Sequence, residues 1–199
     1  MLPASRLPCA VCLRNRLLTV PHPVRPGGVF FYQGVDMGIE IRTDRREDAF
    51  AIRRRVFMEE QGYEDEFDAI DDDPRCLHMT LSVDGDPVGC SRVFPEPLER
   101  VLAPSSPQSP ACALDDGIDA DAVYLLGRVA VLPGFRHRGL AARIICESER
   151  AARAAGARLI KLHAQERVQP LYAKEGFGPI SGVDYEDEGQ PHVWMAKVL

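Results

Sequence analysis

"VAVLPGFRHRGLAARII", Val129 to Ile145, is the stretch that decides the fold. Together with the preceding "VYLLGR" its first part is apolar on both pleat faces, as expected of a central strand covered on both sides. Its last part opens an amphipathic helix over residues 140–155. Leu140, Ile144, Ile145, Ala151, Ala152 and Ala155 fall on one side and Arg143, Glu147, Arg150 and Arg153 on the other, with Gly156 as the stop. Between strand and helix stand Arg136, His137 and Arg138, then Gly139. A helix N-terminus presents unpaired N–H groups and the positive end of the helix dipole, and a glycine lets a ligand approach that backbone closely. The basic side chains add charge-assisted donors, so a diphosphate is the natural guest of residues 136–141, Leu140 and Ala141 included. A P-loop is excluded because its glycine is followed by Lys and then Ser or Thr. The dinucleotide fingerprint lacks its first two glycines. Taken alone, "RHRGLA" also reads as a solvated basic turn before an ordinary helix.

The chain has 199 residues, enough for one sizeable core, with 45% apolar and 27% charged residues and a formal charge of −6. That balance argues against a general nucleic-acid or anionic-membrane binder. The six cysteines, Cys9, Cys12, Cys76, Cys90, Cys112 and Cys146, lack the density of a disulfide scaffold and read as cytosolic thiols. Only Cys9 and Cys12 have metal-ligand spacing, and the second pair a zinc site needs is missing, so no metal is expected. Residues 1–36 are acid-poor apart from Asp36, contain arginines and are rich in proline, which reads as an extension to the domain: a leader, a disordered tail, or sequence upstream of a start at Met37. The domain itself is expected over residues 37–199. No stretch approaches 18 apolar residues.

From Ile39 onward strands and helices alternate. "IEIRT" reads as a strand, and "DRREDAFAIRRRVFMEEQG" as a helix stopped by Gly62. Leu77, Met79, Leu81 and Val83 alternate with His78, Thr80 and Ser82 as in a half-buried strand, which "DGDP" turns into "VGCSRVF". Residues 95–121, with five prolines, read as a surface loop inserted between two strands. After the helix at 140–155 come the strand "RLIKLHA", the short helix "QPLYAKEG", and the strands "FGPISG" and "PHVWMAKV".

The pattern of an apolar strand, then Arg, two residues, Gly, one residue and Ala opening a helix resembles the acyl-CoA-binding signature of the GNAT acetyltransferase superfamily, with Arg136, Gly139 and Ala141 at its positions. "PLYAKEGF" resembles the tyrosine-bearing segment about thirty residues downstream in that superfamily. "RRRVFMEEQG", "GRVAV" and "YEDEGQPHVWMAKV" look like the ElaA-type branch, over roughly residues 38–199. The resemblance implies an α/β GNAT fold, a mixed central β-sheet with helices on both faces and acyl-CoA bound at a splayed central strand. It implies that backbone groups near Val129, Ala130 and Val131 pair with the pantetheine arm, and that a backbone N–H polarises the thioester carbonyl. Tyr172 resembles the family's general acid, a phenol able to protonate the departing thiolate.

The implied activity is acetyl transfer from acetyl-CoA, as co-substrate, to a primary amine, in the cytoplasm. The alternative is an acyl-CoA-binding module of the same fold without turnover. Whether the chain forms a homodimer is open. The insertion at 95–121 departs from the family, so the resemblance does not extend to whatever part of the acceptor pocket it borders. Base candidates are Glu59, Glu60, His78, His163 and His192, beside water-mediated deprotonation. Between Glu59 and Asp73 stand nine carboxylates and no Lys or Arg, read either as a solvated loop or as an attractor for a cationic amine.

Overall fold

A computed structural model describes residues 29–31 and 38–199. Seven strands form one mixed sheet: β2 (Ile39–Arg42), β3 (Leu77–Val83), β4 (Asp86–Pro95), β5 (Val123–Val131), β6 (Leu159–Gln165), β7 (Gly178–Asp187) and β8 (Gln190–Val198). A three-residue strand, β1 (Val29–Phe31), lies against β2 at the edge, giving the order β1-β2-β3-β4-β5-β6-β8-β7. The rest of the extension, with Cys9 and Cys12, lies outside the described residues.

Among the described residues four α-helices accompany the sheet: α1 (Arg46–Arg53), α2 (Pro97–Leu102), α3 (Leu140–Ala154) and α4 (Gln169–Lys174). Ala49, Ile52 and Val56 pack against Cys90 and Ala130, whereas Ile144 of α3 presses on Gly89, where an added Cβ would meet its Cδ1 at 2.7 Å. Neighbouring strand residues point to opposite faces, so α1 and α3 cover opposite faces of the sheet. This is the expected mixed α/β arrangement. Among the described residues, no helix is long and apolar enough to cross a membrane.

Two local expectations are corrected and one, the helix stopped by Gly62, is refined in its geometry. Strand β3 is buried on both faces, because α1 covers His78, Thr80 and Ser82, and Thr80 Oγ1 donates to the Arg45 carbonyl at 2.8 Å. Helix α1 widens into π-type turns over Arg54–Glu60 before Gly62, at φ +81°, ends it. The 95–121 insertion is more than a surface loop. It starts with α2, and Leu98 and Ala103 are buried with Ile70, Phe94, Leu125 and Trp194. Lys161 on β6, 1% exposed, ties the rest down through Glu96 at 3.0 Å, the Pro110 carbonyl at 3.1 Å and Asp115 at 2.8 Å. A six-residue helix that begins on a proline is too short to show a period.

The sheet opens at its centre. Strands β5 and β6, its one parallel pair, are joined only at Val123↔Leu159, Tyr124↔Ile160 and Leu125↔Lys161, although both continue for several residues. On its other edge β5 carries a bulge: Cys90 pairs with Ala130 and Arg92 with Gly127, so Arg128 and Val129 share the place opposite Ser91. Arg128 sits there at φ +54°, a conformation costing a non-glycine residue on the order of 1–3 kcal/mol. Its guanidinium is held 3.1 Å from Glu66 Oε2 and also donates to the Glu66 carbonyl.

Candidate active site

The splay opens a cavity of about 660 Å³. Val129, Ala130 and Val131 line it from β5, Arg136, His137, Gly139, Leu140 and Ala141 from the turn and the start of α3, and Tyr172 from α4. Arg138 does not line it: its Nη2 donates to the Gly134 carbonyl at 3.1 Å and its guanidinium lies over Phe135. Beyond Leu125, among the described residues, no strand pairs with the β6-facing edge of β5, so its backbone groups there are open to a ligand.

Gly139 is the N-cap of α3 at φ +74°, and no side chain caps the helix. The first-turn N–H groups of α3 therefore have no intrahelical acceptor. A Cβ at Gly139 would meet nothing within 4 Å. The Arg136 side chain is not free: its Nε donates to the Val131 carbonyl at 2.8 Å and its two terminal nitrogens to both oxygens of Glu60. That pairing holds the Glu60 carboxyl below its ordinary range.

Tyr172 is buried, with its ring edge-on to Phe177 at 5.9 Å. Among the described residues its hydroxyl has no hydrogen-bond partner, and burial pushes its pKa above the usual phenol range. It stays a neutral donor at any working pH. A thiolate expelled into the same cavity would be disfavoured by the same desolvation, so the two proton affinities rise together.

Of the base candidates, His163 and His192 line the cavity with ring centroids 4.7 Å apart. His163 stacks on Trp194 at 4.5 Å and its Nε2 lies 3.0 Å from Asp184; desolvation pulls its pKa down, against that carboxylate. His192 Nδ1 lies 3.0 Å from the Gln190 carbonyl and its Nε2 3.6 Å from Asp187. Glu60 reaches the site only through Arg136, Glu59 is exposed, and His78 is buried away from the cavity with Nε2 donating to the Asp71 carbonyl. Sequence reasoning missed Gln61, Tyr63 and Gln165 on the cavity wall, where Gln165 Nε2 donates to Gln61 Oε1 at 2.8 Å and to the Tyr63 hydroxyl at 2.9 Å. The available signal for Gln165 was its place two residues after His163, on the same strand face.

The acidic run is neither simply solvated nor simply an attractor. Arg53, 1% exposed, donates to Glu66 at 2.6 Å and to Asp71 at 2.6 Å; Arg92 donates to Asp71 at 2.8 Å and to Asp68 at 2.6 Å. With Arg128 on Glu66, three carboxylates of the run balance three guanidiniums behind the bulge. Asp71, Cys76 and His78 bring potential metal-ligand atoms within 4.8 Å of one another. Both Asp71 oxygens already accept from guanidiniums, so a cation there would face Arg53 and Arg92.

The stretch of chain that builds most of this cavity matches a family. Residues 40–177 match the model of the Acetyltransferase (GNAT) family. The chain belongs to the GNAT acetyltransferases. This GNAT chain is 28% identical over 156 residues to the Bacillus subtilis (strain 168) protein YjcF, described as an uncharacterized N-acetyltransferase, covering 77% of this chain and 93% of that one. It is similar to a Lactobacillus plantarum structure assigned as an N-acetyltransferase, with 26% identity, a TM-score of 0.61, and 82% and 98% of the two chains covered. Escherichia coli ElaA shares the fold at a TM-score of 0.60 and 19% identity, with 81% and 99% covered.

Proposed function

We propose that this GNAT protein transfers the acetyl group of acetyl-CoA to a primary amine by direct attack, with Tyr172 as general acid. The observation that carries the reading is that the open edge of β5, the uncapped N-terminus of α3 and the unpaired Tyr172 hydroxyl meet on one cavity. Residues 136–141 take the diphosphate, with Arg138 contributing charge from outside the cavity wall. Val129, Ala130 and Val131 hold the pantetheine arm through the backbone, and a β5 N–H polarises the thioester carbonyl. The neutral amine nitrogen attacks the carbonyl carbon; the C–N bond forms, the C–S bond breaks, the amine loses a proton to water or to a cavity histidine, and the thiolate takes one from Tyr172. The phenolate then regains its proton from solvent.

We take residues 37–199 as the transferase domain, with 1–36 as an extension to it whose Val29–Phe31 strand adds to the edge of the sheet. We place the enzyme in the cytoplasm, supported by Cys76, Cys90 and Cys112 as free thiols. Free thiol released from acetyl-CoA in proportion to added amine, across a panel of polyamines, aminoglycosides, amino acids and peptides, tests the reading. Tight CoA binding by calorimetry with no amine-dependent release would instead identify a binding module without turnover.

A further inference from the structure

We propose that the cavity beneath the 95–121 insertion receives a second positive charge on the acceptor, so that the amine substrate is a diamine or longer polyamine. This rests on the acetyl-transfer reading above. A second cavity of about 310 Å³ lies beside the first and shares Leu126, Gly127, Arg128 and His163 with it. An acceptor filling it would therefore reach the splay at the bulge of β5. Its walls include α2 and the residues after it, with Glu99, Ala103 and Ser106. This departure from the family thus shapes the acceptor side.

The charge of that cavity is one-sided. Asp65, Asp68, Glu99, Glu186, Asp187 and Glu188 line it against two guanidiniums, Arg92 and Arg128. Both guanidiniums are already matched, by Asp68 and Asp71 and by Glu66. Among the described residues, Asp65, Glu99, Glu186 and Glu188 make no ion pair with a lysine or arginine.

Glu99 turns an acidic rim into a site. It is 8% exposed, and its side chain accepts one hydrogen bond, from the Ser109 N–H to Oε2 at 3.0 Å; no other described residue bonds the carboxylate. Burial, aided by Glu96, pushes its carboxyl up to about 7, against the Ser109 N–H, Arg92 and Arg100. A carboxylate withdrawn from water without a counter-ion is costly, and an ammonium group placed beside it removes that cost.

The test uses the full chain with acetyl-CoA and compares 1-aminobutane with 1,4-diaminobutane and longer diamines by thiol release. The expected result is a kcat/KM for the best diamine at least about tenfold above that of the monoamine, expressed mainly in KM. In Glu99→Gln that preference is expected to fall about tenfold, and in Glu186→Gln, an exposed position whose replacement leaves folding intact, by a smaller factor. Equal kcat/KM for monoamine and diamine, or an unchanged preference in both variants, would overturn the inference alone. Absence of thiol release with every amine would overturn the acetyl-transfer reading, and this inference with it.

Discussion

Arg136, on the cavity wall, and Glu60 form a two-pronged ion pair, with N–O distances of 2.7 and 2.6 Å. Arg136 is the first residue of the turn assigned to the diphosphate, so Glu60 stands where a phosphate would compete for it. A pair this exposed contributes under about 1 kcal/mol, and a diphosphate offers the guanidinium a stronger partner. Glu60→Gln is therefore expected to tighten CoA binding several-fold, more at low salt, while the melting temperature barely moves. Calorimetry at two ionic strengths measures this, and weaker binding in the variant would show that Glu60 instead holds Arg136 in its binding position.

Gly139 separates space from strain. No atom crowds its missing Cβ, but its φ of +74° disfavours any side chain. Gly139→Ala is expected to cost about 1–2 kcal/mol in stability through the left-handed backbone alone. Gly139→Asp adds a negative charge beside the site proposed for the diphosphate and is expected to abolish CoA binding in a protein that still folds. Paired thermal melts and CoA titrations check both, and unchanged CoA affinity in the Asp variant would refute the placement.

Behind the bulge, Asp71 bridges Arg53 and Arg92. These guanidiniums hold its carboxyl well below the ordinary range against the opposing effect of burial. Asp71→Asn leaves two buried cations short of a counter-charge and is expected to cost about 3–5 kcal/mol in urea unfolding. A loss under about 1 kcal/mol would show that the cluster is open to water.

That cluster also marks what the sequence does not show. The β5–α3 unit was legible because a doubly apolar strand, a basic turn with Gly139 and an amphipathic helix each carry a local pattern. The burial of Arg53, Glu66, Asp71 and Arg92 was not, because charged residues signal solvent until their partners are known to be near. Nor was the bulge: Arg128 at positive φ has none of the residue preference that flags such a turn. Tyr172 and His163 were legible as cavity-facing candidates, whereas Gln61, Tyr63 and the role of Glu99 depend on which loops the topology brings together.

Glu99 makes a pH-dependent prediction about stability. Its folded pKa of about 7 lies above the ordinary carboxyl value, so the folded state binds the proton more tightly and this site destabilises the fold as pH rises from the unfolded to the folded value. Glu99→Gln keeps an acceptor for the Ser109 N–H and removes the buried charge. It is expected to stabilise the protein by under about 1 kcal/mol at pH 5 and by about 3 kcal/mol at pH 8.5, read from urea unfolding at each pH. A pH-independent difference would mean that the carboxyl is not held uncompensated.

The central claim is that Tyr172 gives its proton to the departing thiolate, and Tyr172→Phe measured against acetyl-CoA and a reactive amine tests it most directly. The substitution keeps the ring against Phe177 and removes a hydroxyl that no other described residue bonds. The expected result is a kcat lower by about 10²–10⁴-fold with the acetyl-CoA dissociation constant essentially unchanged, and in the wild type no alkaline loss of activity from this phenol below about pH 10. A Tyr172→Phe protein that keeps full kcat would contradict the assignment and leave the proton to come from water or another side chain.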